Sequence, residues 1–275
     1  MSPKDETTRS QVHEIVIDAP IEAVWKAIAD GEELTRWFVE SASVEPGVGG
    51  TIEISWGGPE KGLSHIEVWE PNRTLRVALK PFDGIKPLPA GPIIDEYTIE
   101  RREGKTVLRL VSSGIPATPD WDGFYDGTST GWPSFFRTLR HYLEHHRGKP
   151  RQVIKVVGML SGSPEDGWAQ LTGANGLNFA PVSGEAFDAR IGTGERLHGR
   201  VAFAKAPNQL DMSISEIDEA FLAHTVAGGG GKHFVYTMLS VYVKSPEEVE
   251  AIRARWQPWL TGAIGVAVSD ASAPA

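Results

Sequence analysis

Cysteine is absent from the 275-residue sequence, and this absence excludes several kinds of chemistry at once. Disulfide bonds, thiolate nucleophiles, iron–sulfur clusters and zinc sites built from cysteine are all removed. Basic residues are also in the minority, with 27 lysines and arginines against 36 aspartates and glutamates, which gives a formal net charge of −9. An acidic chain without a basic tract binds a phosphate backbone poorly, so nucleic acid is not an expected partner.

Long apolar runs are missing as well. No stretch approaches the roughly 20 apolar residues that a membrane-spanning helix needs, so no membrane span is expected. Residues 1–10, MSPKDETTRS, contain no apolar core and are not a secretory signal. We therefore expect a soluble, cytoplasmic globular protein whose first ten residues are disordered, with a length that fits one large domain or two smaller ones.

The first half of the sequence predicts a strand, two helices, a run of strands and a long helix. Residues 13–17 alternate as a strand does, and a helix with apolar residues at helical spacing follows Pro20. Strand-like segments follow between residues 51 and 112. Residues 131–147 predict the long helix, because their apolar side chains share one face. This order is typical of an α+β fold with an antiparallel sheet.

The second half repeats this order in a weaker form. Ser163-Pro164-Glu165 corresponds to Ala19-Pro20-Ile21, and Ser245-Pro246-Glu247 begins a closing helix that Pro258 is expected to kink or end early. An internal repeat of about 140 residues predicts two domains of the same fold. The expected boundaries are 11–148 for the first domain, 151–263 for a degenerate second domain and 264–275 for a flexible tail.

Several motifs of the first half resemble the START-like superfamily, also called SRPBCC, whose helix-grip fold is that of the birch-pollen allergen. The motifs are Ala19–Trp25, Trp37-Phe38, the turn Pro71-Asn72 before Leu75, and Gly131-Trp132 ahead of Leu139, Tyr142 and Leu143. More narrowly, they resemble the branch related to the activator of the heat-shock chaperone ATPase.

The resemblance implies a curved antiparallel sheet that wraps the long C-terminal helix and leaves a cavity between them. The fold class expected for this chain is therefore α+β, with two helix-grip domains in tandem. The tandem form is similar to that of proteins found in bacterial polyketide pathways, including enediyne pathways.

The aromatic residues indicate where a ligand would bind. Nine tryptophans occur, and many aromatic residues lie where a helix-grip cavity would be lined. Ligand cavities combine such a lining with a few polar groups that orient the guest. For any single residue the alternative is that it fills a core. The candidate ligand-binding residues are Trp56, Tyr97, Trp121, Phe124, Tyr125, Trp132, Phe135, Phe136, Leu139, Phe203, His224 and Tyr236.

Three of these candidates, Trp121, Phe124 and Tyr125, lie in a segment rich in glycine, proline and aspartate, residues 114–131. This composition predicts a loop, and a loop beside a cavity can act as a lid.

Catalytic residues are only weakly indicated, and the candidates are His65, Glu67 and Arg109. His65 and Glu67 lie two positions apart on a strand, so they share a face and would form a proton-handling pair if that face is inward. The opposite parity buries Ile66 and Val68 and exposes the pair. That parity is favoured because isoleucine and valine are buried more often.

Two further motifs are better explained without chemistry. Residues 141–145, HYLEH, match the inverted zinc-protease motif, but His141 and His145 point away from the apolar helix face and are expected to be solvated. The glycine-rich residues 228–233 lack the Ser or Thr and the following helix of a phosphate loop, so they predict a hairpin or a rim loop. Neither a metal nor a cofactor is expected.

Function stays open between several classes. The leading hypothesis is binding of an elongated hydrophobic small molecule, of polyene or polyketide type, in a cavity within or between the two domains, in natural-product biosynthesis. The enzyme alternative is a polyketide aromatase or cyclase, which needs His65, Glu67, Arg109 or Tyr97 inside the cavity. Self-resistance by sequestration and a co-chaperone role are further alternatives, and a protein partner remains open.

Overall fold

The computed structural model describes residues 8–58, 61–80, 91–229 and 232–266, and the chain divides after Gly148 into two compact units. The sequence predicts disorder for residues 1–10, and this prediction is wrong for Thr8–Ser10. These residues begin the first strand, where Thr8 lies opposite Pro116 and Arg9 lies opposite Ile115. Residues 1–7 lie outside the described residues.

In the first unit, a seven-stranded antiparallel sheet has the order β1-β7-β6-β5-β4-β3-β2. Its strands are β1 (Thr8–Ile17), β2 (Ser41–Val44), β3 (Thr51–Ser55), β4 (Gly62–Glu70), β5 (Thr74–Leu79), β6 (Ile93–Arg102) and β7 (Lys105–Pro116). Its helices are α1 (Ile21–Ala29), α2 (Gly31–Thr35) and α3 (Asp122–His141). The predicted order of elements is confirmed, and β2 is the strand that the sequence patterns did not indicate.

Two short helices follow β1 and cover part of the sheet. Asp30 separates them, because its side chain caps α2 by accepting a hydrogen bond from the Glu33 N–H at 3.0 Å. The segment after α2 is fixed to α1 by the Trp37 indole, whose Nε1 donates to the Ala27 carbonyl at 2.8 Å. This contact places Trp37 and its neighbour Phe38 beside the sheet.

The long helix α3 begins at Asp122 rather than at the predicted Gly131, so residues 122–131 are not a loop. A 3₁₀ turn, Pro119–Trp121, precedes the helix, and Trp121 packs in a buried cluster with Ile93 and Ile115. Tertiary packing therefore outweighs the low helix propensity of the glycines in this stretch. After His141 the chain continues as a short π-helix, Tyr142–His146.

A buried hydrogen-bond network fixes the end of the long helix to α2. The Tyr142 hydroxyl donates to Glu33 Oε2 at 2.6 Å and accepts from the Gly148 N–H at 2.9 Å. Glu33 Oε1 also accepts from Arg36 at 2.5 Å and from Lys26 at 3.3 Å. Burial, assisted by the neighbouring Glu33, raises the pKa of Tyr142 to about 12, so the hydroxyl keeps the proton that it donates.

Removing this hydroxyl is expected to destabilise the first unit. The Tyr142→Phe variant leaves the buried Glu33 Oε2 and the Gly148 N–H without this partner, which costs about 1–3 kcal/mol in the free energy of unfolding. Urea denaturation measures the change. The matched control is Tyr125→Phe, because the Tyr125 hydroxyl makes no hydrogen bond within the described part of the chain. An equal effect of the two variants would contradict this account.

The second unit has a six-stranded antiparallel sheet with the order β8-β13-β12-β11-β10-β9, which follows the first unit's order with one strand fewer. Its strands are β8 (Gln152–Met159), β9 (Ala186–Arg190), β10 (Arg196–Lys205), β11 (Gln209–Ile214), β12 (Ala220–Gly229) and β13 (Lys232–Val241). Its helices are α4 (Pro164–Thr172) and α5 (Pro246–Ile264). Both begin with a capping box, at Ser163 and at Ser245. Each unit thus closes on a long helix, as the helix-grip prediction requires.

The prediction that Pro258 ends or kinks α5 early is not met by the helix bounds, since α5 runs on to Ile264. Leu260 and Ile264 follow the proline and are buried in the core of the second unit, which holds the last turns in place. The expected flexible tail began at residue 264, but Val266 still forms a β-bridge with Leu160. Residues 267–275, and residues 230–231 of the glycine-rich segment, lie outside the described residues.

Candidate ligand-binding site

The first unit contains a cavity of about 240 Å³ between its sheet, the segment after α2 and the long helix α3. Most of the residues that line it are apolar, and seven are aromatic. The aromatic residues are Trp37, Phe38, Trp56, Tyr97, Phe124, Trp132 and Phe135. This composition is typical of a binding site for a small organic molecule.

Strand alternation explains the sheet side of the cavity. Ile93, Asp95 and Tyr97 are alternate residues of β6, so their side chains leave the same face of the strand. On the neighbouring strand β5, Leu75 and Val77 line the cavity by the same alternation. The sheet therefore presents an apolar surface that is interrupted by one carboxyl group, one phenol and the hydroxyls of Ser64 and Ser112.

Two glycines explain the space on the helix side. Gly127 and Gly131 lie one helical turn apart on α3, and both line the cavity. A Cβ atom added to Gly127 would meet no atom within 4 Å, and one added to Gly131 would meet only the Phe135 ring, at 3.7 Å. The helix therefore leaves space at these two positions, between the side chains of α3 that line the cavity.

The aromatic wall is held by ring contacts around Phe38. Its ring stacks on Trp132 with centroids 5.4 Å apart and meets Phe135 edge to face at 4.9 Å. Trp56 meets Phe38 edge to face at 5.4 Å, and Tyr97 meets Trp132 at 6.0 Å. Offset and edge-to-face contacts of this kind stabilise the arrangement of the rings.

Asp95 is the one charged side chain among the described residues that line the cavity. It is 6% exposed, and it accepts a hydrogen bond from the Ser112 hydroxyl. Burial raises the pKa of Asp95 to about 6, and the Ser112 hydrogen bond only partly offsets this shift. Burial, together with the negative charge of Asp95, also raises the pKa of Tyr97 well above its ordinary value, so that phenol stays neutral.

Five of the predicted ligand-binding residues line the cavity: Trp56, Tyr97, Phe124, Trp132 and Phe135. Four others of the first unit lie near it without lining it. Trp121 belongs to the buried cluster beside β6 and β7, and the Tyr125 ring lies under the Arg9 guanidinium at 4.4 Å. Phe136 and Leu139 are fully buried in the core instead.

The three candidate catalytic residues lie outside the cavity lining. On β4, Ser64 lines the cavity, Ile66 is buried and Glu67 is exposed, but a register shift between Ile66 and Val68 leaves Val68 only half-buried. Glu67 is ion-paired with Arg76 at 2.9 Å, and His65 is half-buried on the same strand face as Glu67. Arg109 is exposed on β7. The proton-handling pair proposed from the sequence is therefore not formed at this cavity.

The remaining candidates, Phe203, His224 and Tyr236, belong to the second unit. His224 alternates along β12 with Leu222 and Val226, which are part of that unit's apolar core, and its Nδ1 lies 2.8 Å from Thr237 Oγ1. Burial lowers the pKa of His224 to about 4, so the imidazole is neutral. Phe203 and Tyr236 are half-buried. The contacts of His224 fit a core residue better than a ligand-binding one.

The two histidines of the H-x-x-E-H motif differ in burial. His145 is exposed, but His141 is only 7% exposed, which corrects the expectation that both are solvated. Ser134 and Thr138, on the preceding turns of α3, are buried too, so the helix has a second buried side. Within the described ranges, no three histidine, aspartate or glutamate side chains come together to hold a metal ion.

None of the helices in the described ranges is long and apolar enough to cross a membrane.

The sequence interpretation missed Asp95 and the two glycines. Asp95 has the same strand parity as Tyr97, which was selected, so alternation alone could have placed the carboxyl group on the cavity face. The sequence predicts a loop at Gly127 and the start of the helix at Gly131, so their spacing of four residues becomes informative only once the whole segment is known to be helical.

A comparison with protein-family models supports the resemblance seen in the motifs. Residues 18–144 match the family model described as activator of Hsp90 ATPase homolog 1-like protein. The predicted resemblance to the chaperone-ATPase-activator branch is thus confirmed for this segment, which spans α1 to the end of the long helix. Among curated proteins, none matches the sequence.

The solved structures that match the chain cover either about half of it or nearly all of it. Protein MLL2253 from Mesorhizobium loti is 28% identical, covers 50% of this chain and 98% of its own, and has a TM-score of 0.43. DynU16, a putative protein in the dynemicin biosynthetic locus, is 21% identical, covers 93% and 96%, and has a TM-score of 0.44. The di-domain ARO/CYC BexL from the BE-7585A biosynthetic pathway is 14% identical, covers 94% and 96%, and also has a TM-score of 0.44.

Proposed function

We propose that the first unit binds a compact hydrophobic molecule in the cavity between its sheet and α3. The observation that carries this proposal is the cavity of about 240 Å³, which is lined by aromatic rings and has open space at Gly127 and Gly131. Side chains that line a cavity make fewer packing contacts than those of a filled core, which lowers stability. Retention of the cavity at this cost favours a role in ligand binding.

The cavity volume limits the size of the ligand. An engineered cavity of about 150 Å³ in another protein holds benzene. A volume of about 240 Å³ therefore suits a molecule of roughly two fused rings rather than an extended polyene. The proposed ligand is accordingly compact and cyclic. It differs in shape from the elongated ligand that the sequence predicts.

The cellular setting is part of the proposal. The similarity of the tandem form to proteins of polyketide and enediyne pathways supports a role in natural-product biosynthesis. The absence of cysteine supports the cytoplasm as the place of action, because secreted proteins more often rely on disulfide bonds.

A cyclase is the second candidate function, and Asp95 is the observation that favours it. A carboxyl group with a pKa of about 6 suits proton transfer near neutral pH, and Tyr97 and Ser112 line the same cavity. This candidate requires the Asp95→Asn variant to change the products formed from an offered polyketone chain. Binding alone predicts an unchanged product distribution.

The binding proposal is tested by filling the cavity. The Gly127→Leu variant places an apolar side chain where an added Cβ meets no atom, and we expect it to weaken binding of naphthalene at least tenfold, as measured by isothermal titration calorimetry. The matched control is Gly123→Leu, because Gly123 lies on the same helix with open space at its Cβ but does not line the cavity.

Both substitutions replace a helical glycine and raise helix propensity by about 1 kcal/mol, so a change in helix stability cannot explain a difference between them. Naphthalene binding that is equal in the wild type and both variants would place the site elsewhere. Binding undetectable in the wild type would contradict the proposal directly.

A further inference from the structure

Among the described residues that line the cavity, one carries a negative charge and none carries a positive charge. Neither lysine, arginine nor histidine occurs among the described residues that line it, and the polar lining groups besides Asp95 and Tyr97 are Ser64, Ser112 and Thr128. The carboxylate of Asp95 forms a hydrogen bond with Ser112 and no ion pair with any described residue.

A buried carboxylate in this position is only partly satisfied. An ionised carboxyl group has about four acceptor positions, and a single hydroxyl donor uses one of them. Burying a charge without a partner of opposite sign is strongly unfavourable, and a cation that enters the cavity would restore the missing partner. The position of Asp95 therefore favours guests that bring their own positive charge.

The aromatic lining favours the same class of guest. The faces of tryptophan, tyrosine and phenylalanine rings attract cations, and recognition of organic ammonium groups by aromatic cages uses this attraction. Seven such rings and one carboxylate line the cavity. A neutral hydrocarbon would use the rings and leave the carboxylate unpaired, whereas an apolar amine would use both.

We propose that the ligand of the first unit is an apolar cyclic amine or alkylamine, whose protonated nitrogen pairs with Asp95 while its ring body fills the aromatic cavity. The Ser112 oxygen, which donates its hydrogen to Asp95, keeps lone pairs for a second N–H of the ligand. This inference rests on the proposed function and adds the ligand's chemical class.

A pair of probes of equal shape tests the charge requirement. We expect 1-naphthylmethylamine to bind at pH 7.5 at least tenfold more tightly than 1-naphthalenemethanol, as measured by isothermal titration calorimetry. In the Asp95→Asn variant, which keeps the side-chain shape, this preference is expected to disappear. The amine is expected to lose its advantage, while the affinity of the alcohol stays within about threefold.

The pH dependence in the wild type tests the same point without a substitution. The titratable groups that line the cavity are Asp95 and Tyr97, and Tyr97 stays neutral in this range. Because the pKa of Asp95 is about 6, lowering the pH from 7.5 to 5 is expected to weaken amine binding about tenfold. Binding of the alcohol is expected to change little over the same range.

The outcomes separate this inference from the proposed function. If the alcohol binds as tightly as the amine, or if Asp95→Asn keeps the preference for the amine, the inference is overturned and binding in the cavity stands. Amine binding that strengthens on acidification would also overturn it, because protonation of Asp95 removes the negative charge with which the ammonium group is proposed to pair. If neither probe binds the wild type, both the inference and the proposed function fail.

Discussion

At pH 7.5 the Asp95→Asn variant is expected to be more stable than the wild type by up to about 3 kcal/mol in the free energy of unfolding. The reason is the buried position of the carboxyl group, which raises its pKa from 3.8 to about 6. Above pH 6 the folded protein must hold a charge that the unfolded chain solvates better. Asparagine carries no charge and can still accept the Ser112 hydrogen bond.

The sign of this effect gives it a pH window. A raised pKa in the folded state means that Asp95 stabilises the fold most below pH 3.8 and that this stability is lost as the pH rises through about 6. The difference between variant and wild type is therefore expected to be near zero at pH 4 and to grow up to pH 7. Hydrogen exchange of the β6 and β7 amides, compared at equal pH, measures it.

The control for this experiment is Asp126→Asn, which makes the same substitution at an exposed position of α3. The account is contradicted if the wild type is as stable as Asp95→Asn at pH 7.5. It is also contradicted if the difference between their free energies of unfolding does not change with pH. Confirmation would mean that the chain keeps a destabilising carboxyl group in its cavity, which is expected of a residue retained for binding or chemistry rather than for folding.

The second large effect concerns the second unit, which is expected to lose about 3 kcal/mol of stability on acidification because of His224. Burial lowers its pKa from 6.5 to about 4, so the folded unit holds the imidazole neutral while the unfolded chain takes up a proton. This stability is present above pH 6.5 and is lost as the pH falls towards 4. The sign is opposite to that for Asp95.

Hydrogen exchange of the β12 and β13 amides tests this prediction. The protection of these amides in the wild type is expected to fall, relative to His224→Gln at the same pH, as the pH is lowered from 6.5 to 4. The absolute stability of the variant does not matter, because only its pH dependence is compared. The control is His198→Gln, at an exposed histidine beside Glu216. Equal pH dependence of the wild type and His224→Gln would show that His224 is not the titrating group.

Alternation and turn signals were enough to predict most of the first sheet. The strand-like segments predicted between residues 51 and 112 correspond to β3–β7, and Ile66 is buried on β4. The strand β2 could not be predicted because Ser41–Val44 is short. Its residues are exposed or half-buried, so the segment has little apolar periodicity. Local pattern predicts strands that have one buried face and fails for those that do not.

The start of the long helix could not be predicted from local sequence. Residues 122–131 contain three glycines, at 123, 127 and 131, and such a composition predicts a loop. The helix forms there because Trp121 and Phe124 pack against residues of β6 and β7 that are distant in the sequence. The same glycines create the cavity, so the error in secondary structure also concealed the helix side of the site.

The chemistry of the site was predicted less well than its apolar lining. Five of the aromatic candidates line the cavity, whereas its one charged group, Asp95, was not selected. His65 and Glu67 were preferred because their residue types suit proton transfer, but strand parity directs them away from the lining. Residue type identifies possible chemistry, and the placement of each side chain decides whether it is available.

The central claim, that the first unit is a ligand-binding unit, is tested most directly by native mass spectrometry of the protein expressed in the cells that produce it naturally. The account predicts one bound small molecule of discrete mass, retained by the wild type and by Gly123→Leu and lost from Gly127→Leu. A ligand retained equally by Gly127→Leu, or a wild-type protein that carries no ligand and binds neither naphthalene nor its amine derivative, would contradict the claim.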